Sequence, residues 1–183
     1  LEKLAERAAR LVTGNPWTQQ VHLGPLINES QAQRVEDIVT RSVAMGATVI
    51  VGGKRNGNFF EATVLSDVTP EMPAFAEEIF GPVAPVTFFD TDEEAIELVN
   101  ASPYGLATAI HSASTERALR IADRIRVGMV HINDQTVNNE FQVPFGGMGH
   151  SGTSGRFGGP ANLDEFTTSQ WVSVMEHGIQ YPF

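Results

Sequence analysis

Residues 77–82 read Glu77-Glu78-Ile79-Phe80-Gly81-Pro82, two adjacent carboxylates beside an aromatic ring and a Gly-Pro turn. By residue type alone this is a solvated loop. Its alternative chemistry is a carboxylate that accepts two hydrogen bonds from a diol, next to an aromatic wall for a flat ring. A second string, Gly147-Met148-Gly149-His150-Ser151-Gly152, matches G-x-G-x-x-G. The dinucleotide form of that motif lies directly between a strand and a helix, with an acid about 20 residues on. Here fourteen residues separate it from the nearest predicted strand, which ends at Ile132, and more glycines follow instead of a helix. It reads as a tightly folded loop that needs positive φ. The overlapping Gly149-His150-Ser151-Gly152-Thr153 fails the last position of a G-x-S-x-G nucleophile elbow and lacks the strand-to-helix setting. His22, His111, His131, His150 and His177 are scattered with no i, i+4 pair, so no metal site is expected. There is no cysteine, which excludes a thiol nucleophile or a thiolate metal site among these residues.

The elements that must position these groups follow an α/β pattern. Leu1, Leu4, Ala5, Ala8, Leu11 and Val12 recur at helical spacing until Gly14-Asn15-Pro16 stops them. A second helix is predicted from Asn28 (N-cap) to Gly46 (C′), with Ala32, Val35, Val39 and Val43 on one face. Ala47–Val51 reads as a fully apolar strand, Phe59–Val68 as extended and Pro70–Glu78 as irregular. Strands at Pro85–Phe89, Gly105–His111 and Gly128–Ile132 then alternate with helices capped by Asp90 or Thr91 and by Ser114. That alternation predicts a parallel, Rossmann-like sheet with ligands at the carboxyl ends of its strands. Seven of the fourteen residues Gly146–Gly159 are Gly, and Phe166–Met175 alternates like a lone strand. Such a strand must pair with a distant edge or another subunit.

Composition removes several functions. The 183 residues carry 12 Lys+Arg against 22 Asp+Glu, a formal net charge of −10, which argues against a phosphate-binding face and hence against nucleic acid as partner. With 42% hydrophobic and 19% charged residues the chain is globular, and no apolar run approaches the roughly 20 residues of a membrane span. Without a signal-peptide pattern or a disulfide framework, a cytoplasmic location is expected. The chain begins at Leu1 inside a helical pattern, so a preceding segment is expected too.

Glu77–Val83 (EEIFGPV), followed by Pro103–Leu106 (PYGL), Asn133, Pro144–Gly147 (PFGG), Ser151-Gly152 and Gly155-Arg156, resembles the aldehyde dehydrogenase superfamily, collinearly over essentially the whole chain. His131–Val137 (HINDQTV), Arg156–Gly159 (RFGG), Ala161–Leu163 and Gln170–Val172 are similar to its aromatic-aldehyde branch, the NAD-dependent benzaldehyde dehydrogenases. Ala62 departs from the Pro common before a Thr like Thr63, a structural position. The resemblance implies a catalytic domain of the aldehyde dehydrogenase fold, incomplete, over residues 1–156. An arm with an oligomerisation strand would follow over 157–183.

The family reaction begins with attack of a Cys thiolate on the aldehyde; hydride passes to NAD, and a Glu-activated water hydrolyses the thioester. The nucleophile and base are therefore expected upstream, with no catalytic residue in this chain, so that the chain alone should be inactive. What remains is a C-terminal portion. In it Glu78 matches the carboxylate that bonds the nicotinamide-ribose hydroxyls, and Phe80 the aromatic residue beside the nicotinamide. The segment Asn133–Phe145 matches the mouth of the aldehyde pocket, with Phe145, Val137 and Phe141 as pocket residues. Asp134, Asn138, Asn139 and Glu140 are expected to face water. A homodimer or homotetramer through the terminal strand is implied as well. The rivals are a non-catalytic oligomerisation or regulatory module of the same fold, and the NADPH-dependent branch that reduces acyl phosphates.

Overall fold

Helix α1 (Glu2–Ala9) begins without a capping side chain, whereas α2 (Glu29–Ala44) starts where the Asn28 side chain accepts a hydrogen bond from the Gln31 N–H at 2.9 Å. The molecule is described here from a computed structural model covering residues 1–153, 155–178, 180 and 182. Ala32, Val35, Ile38, Val39 and Ser42 form the buried face of α2. Val43, predicted on that face, lies in the last turn and is exposed. Ser42 is buried in its stead because its hydroxyl accepts the Ala74 N–H at 2.9 Å, satisfying one orphan donor at the start of a short helix.

The chain divides into two compact units, Leu1–Ser102 and Pro103–Phe183. In the first, β1 (Thr48–Val51), a small hairpin of β2 (Arg55–Asn56) and β3 (Phe59–Phe60), and β4 (Thr63–Ser66) precede α3 (Pro73–Ala76), β5 (Val83–Pro85) and α4 (Asp92–Ala101). The sheet order is β1-β4-β5. All of β4 is buried, as its central place requires, and it pairs with β5 in parallel, Thr63 opposite Val83. Val35, Ile38, Val39, Phe60, Leu65, Val68 and Met72 form the core between α2 and the sheet, with Ile79 and Val83 packed against it. Fully burying one such side chain stabilises the fold by roughly 1.5–3 kcal/mol, so this cluster dominates the unit.

The second unit contains β6 (Tyr104–Gly105), β7 (Ala107–Ile110), α5 (Thr115–Ala122), β8 (Met129–Ile132), β9 (Met148–Gly149) and α6 (Ala161–Glu165). Strands β7 and β8 run parallel in the register Ala107↔Met129 to Ile110↔Ile132, joined through α5, and β6 and β9 pair antiparallel. Thr91 and Ser114 cap α4 and α5 as their types predict, accepting from Glu94 and Arg117 N–H, each at 3.2 Å.

Four expectations need correction. The sheets are mixed, not purely parallel: β1 lies antiparallel on β4, because the turn through β2 and β3 reverses the chain without a crossover. As an edge strand β1 also keeps Val49 and Ile50 exposed, despite its apolar sequence. The predicted strand Pro85–Phe89 lies two residues earlier, and Pro70–Glu78 contains α3, begun by Pro73 at its first turn. Residues 167–175 carry no strand; no sheet edge of the described chain pairs with them, and an unpaired extended segment has no ladder to define it.

Candidate functional site

The loop at residues 77–82 is shaped by what α2 offers it. After α3 the chain extends at Glu77 (φ −103°, ψ 145°) and runs past two arginines of α2 before entering the amino end of β5. Arg34 donates from Nη2 to the Glu78 carbonyl at 2.7 Å and from Nη1 to the Ile79 carbonyl at 3.1 Å. Arg41 donates from Nη2 to Glu77 Oε1 at 2.9 Å and from Nε to Asp37 Oδ2 at 2.7 Å, and Arg34 lies 3.7 Å from the other oxygen of Glu77. Glu77, then Asp37, holds the Arg41 guanidinium charged above its ordinary range. Half-exposed ion pairs of this kind contribute under about 1 kcal/mol each. The grip on the loop therefore comes chiefly from the forked bonds to its backbone.

The two adjacent carboxylates are thereby separated in role. Glu77 is taken up by the arginines; the exposed Glu78 carboxylate has no hydrogen-bond partner among the described residues. Ile79 turns inward against the core. Phe80 turns outward, 74% exposed, with φ at +50°. That left-handed conformation costs a non-glycine residue about 1–2 kcal/mol; it persists because both neighbours are fixed. Gly81 is the second anchor: a Cβ there would come within 2.7 Å of Val35 Cγ2 on the fully buried face of α2. A projecting carboxylate and a projecting ring on one rigid loop can accept a diol and cover a planar group. This loop lies at the amino end of its strand, not the carboxyl end where the parallel-sheet rule puts ligands.

In the second unit the carboxyl end of β8 does lead into the predicted substrate segment. Asn133, with φ +57°, accepts the Ser112 N–H at 2.8 Å and donates to the Ser112 carbonyl at 3.0 Å. It so ties the exits of β7 and β8 together. Phe145 and Phe157 exchange backbone hydrogen bonds, and their rings lie 5.1 Å apart at 51°. Phe145 and Phe141 line one cavity of about 490 Å³, and Phe145 lines a second of about 430 Å³ with His131, Asn138 and Val143. Phe141 is 90% exposed, and Val137 is exposed and lines neither cavity. Asp134, Asn138, Asn139 and Glu140 are exposed, in accord with their polarity. Asp134 has its pKa lowered, first by the Asn138 side-chain amide and then by the Gln135 N–H, with His131 and His111 adding to it.

The glycine motif keeps its structural reading. A Cβ on Gly147 would meet the Ser151 carbonyl oxygen at 2.2 Å, so this is a turn folded back on itself. Arg156 braces it, donating to the Gly147 and Gly155 carbonyls at 3.1 and 2.9 Å. Among the described residues no three His, Cys, Asp or Glu side chains gather to hold a metal, and no helix is long and apolar enough to cross a membrane. The parts that sequence reasoning missed are Arg34, Arg41 and Ser42. Each acts on residues more than thirty positions away, beyond any local signal.

The family model described as "Aldehyde dehydrogenase family" matches residues 1–172. All of the chain aligns at 57% identity with the benzaldehyde dehydrogenase [NAD(+)] of Pseudomonas putida, and at 47% with the vanillin dehydrogenase of an Amycolatopsis strain. It spans 37% and 38% of those proteins. The crystal structure of a salicylaldehyde dehydrogenase from Pseudomonas putida G7, complexed with salicylaldehyde, superposes with a TM-score of 0.91 at 37% identity, over 100% of this chain and 38% of that one.

Proposed function

The chain belongs to the aldehyde dehydrogenase family, and we propose that it is the C-terminal portion of an NAD-dependent enzyme oxidising an aromatic aldehyde of the benzaldehyde type to its acid. The observation that carries the cofactor half is the Glu78 carboxylate, without a hydrogen-bond partner among the described residues, beside the projecting Phe80 ring on a loop pinned from behind. Those groups fit a nicotinamide riboside: Glu78 holds the ribose hydroxyls and Phe80 flanks the ring. The bound dinucleotide supplies the hydride acceptor. This chain's share is to bind and orient it, because hydrogen bonds to a charged acceptor contribute roughly 1.5–3 kcal/mol each and are lost if the carboxylate swings away. The chain has no cysteine, so the thiolate that attacks the aldehyde is assigned to the rest of the protein. The isolated chain is accordingly proposed to be inert.

The aldehyde half rests on the aromatic-aldehyde relatives and on Phe145, which together with Phe141 gives the substrate segment apolar, aromatic walls. Val137 is kept as a third wall residue of the assembled pocket. Assayed with NAD, the complete protein is expected to show a higher kcat/KM for benzaldehyde than for acetaldehyde. Equal values would overturn the aromatic assignment.

Residues 1–156 are assigned to the catalytic domain and 157–183 to an arm. In that arm Trp171 is 93% exposed, and Val172 and Val174 are exposed beside it, a segment suited to adding a strand to the sheet edge of a neighbouring subunit. A cytoplasmic homodimer or homotetramer is the assembly proposed. The complete protein should scatter light as an oligomer, and removing residues 166–183 should lower its mass; a full-length monomer would contradict the role of the arm.

A further inference from the structure

We propose that Arg34 is a positioning residue for cofactor binding, acting through the backbone of residues 78 and 79 to hold the Glu78 carboxylate and the Phe80 ring in their binding orientation. The inference rests on the cofactor role proposed for Glu78. One guanidinium spans two consecutive carbonyls, Glu78 at 2.7 Å and Ile79 at 3.1 Å, and lies 3.7 Å from the Glu77 carboxylate. A planar fork can hold two acceptors at once; a lysine ammonium reaching the same place is a single rotating point charge. The residue so held is followed by Phe80 at φ +50°, a conformation the chain leaves unless its flanks are fixed. On the far side Gly81 is packed on Val35, one residue beyond Arg34 on the same helix. The loop is thus clamped at both ends by one turn of α2.

Arg34 touches neither of the groups proposed to meet the cofactor, since its bonds go to carbonyls and to Glu77. What it controls is the population of the loop conformation that presents them. If the binding-competent arrangement is only fractionally populated, apparent affinity falls by that fraction. The expected signature is therefore on the dinucleotide and not on the aldehyde.

The test uses the complete protein with NAD as ligand and four variants: Arg34→Met, Arg34→Lys, Glu78→Gln and Arg34→Met/Glu78→Gln. Calorimetric Kd for NAD, measured without aldehyde, should rise about tenfold in Arg34→Met and less in Arg34→Lys, which can still reach one carbonyl. Amide hydrogen exchange of residues 78–81 in the cofactor-free protein should speed up in Arg34→Met and stay unchanged in Glu78→Gln. The double variant should bind little worse than Glu78→Gln alone, because a loop without its carboxylate gains little from being held. The aldehyde KM should move less than twofold throughout. Unchanged exchange and unchanged NAD affinity in Arg34→Met, with Glu78→Gln impaired, would overturn the positioning role and leave the Glu78 role intact. Unimpaired NAD binding in Glu78→Gln would instead remove the reading on which it rests. Fully additive losses in the double variant would assign Arg34 to general stability. If Arg34→Met does not fold, the comparison of Arg34→Lys with wild type decides by the same readouts.

Discussion

Replacing Glu78 by Gln in the complete protein is expected to weaken NAD binding, and with it to slow hydride transfer at subsaturating NAD, by about tenfold to a hundredfold, the range that follows from losing a charge-assisted interaction of roughly 1.5–3 kcal/mol. The amide keeps the side chain's size and one acceptor oxygen but removes the charge that two ribose hydroxyls would share. Glu78 has no competing partner among the described residues. Its neighbour Glu77 has the same residue type and is engaged by Arg41 at 2.9 Å and Arg34 at 3.7 Å. Glu77→Gln should therefore change kinetics only a few-fold while loosening the loop, since half-exposed pairs contribute under about 1 kcal/mol each. Single-turnover absorbance at the reduced-nicotinamide band reads hydride transfer directly. Unchanged single-turnover kinetics in Glu78→Gln, or an equal loss in Glu77→Gln, would remove the assignment.

Ile38→Ala is expected to lower stability by about 2–5 kcal/mol, the range for truncating a fully buried aliphatic side chain where the surroundings close only partly over the cavity. Ile38 is fully buried in the cluster with Phe60, Leu65 and Val68, between α2 and the central strand β4. Against a domain stability of about 5–15 kcal/mol, that is a large fraction. The change also bears on function, because Arg34 is one helical turn earlier and Arg41 three residues later on α2. A shift of that helix is a shift of the clamp, so NAD affinity should fall along with the denaturation midpoint. A loss below about 1 kcal/mol would mean that the core closes over the deletion and that α2 is held by something other than this cluster.

Much of the local architecture was legible because it is set within a turn or two of chain. Asn28, Thr91 and Ser114 cap the helices their types predict, since a cap is a bond between residues three apart. Parallel pairing of β7 and β8 followed from a strand, helix, strand rhythm. Gly147–Gly152 is legible as a folded loop for the same reason: its setting lacks the helix a dinucleotide turn needs. The antiparallel placement of β1 was not legible. A largely apolar run of five residues looks alike in a central parallel strand and at an edge, and only its partner distinguishes them.

By itself, then, the sequence determined the elements, their caps and the strings that mark the family, including the candidate loop at residues 77–82. Residue type alone could not separate Glu77 from Glu78, because two adjacent acids carry the same local signal; only the family resemblance singled out Glu78. The tertiary structure distinguishes the two side chains by bringing Arg34 and Arg41, more than thirty residues away, against the Glu77 carboxylate, while that of Glu78 has no partner among the described residues. It likewise decided that Phe80 projects while Ile79 is packed inward, since a left-handed backbone at a phenylalanine is paid for only by contacts made across the fold.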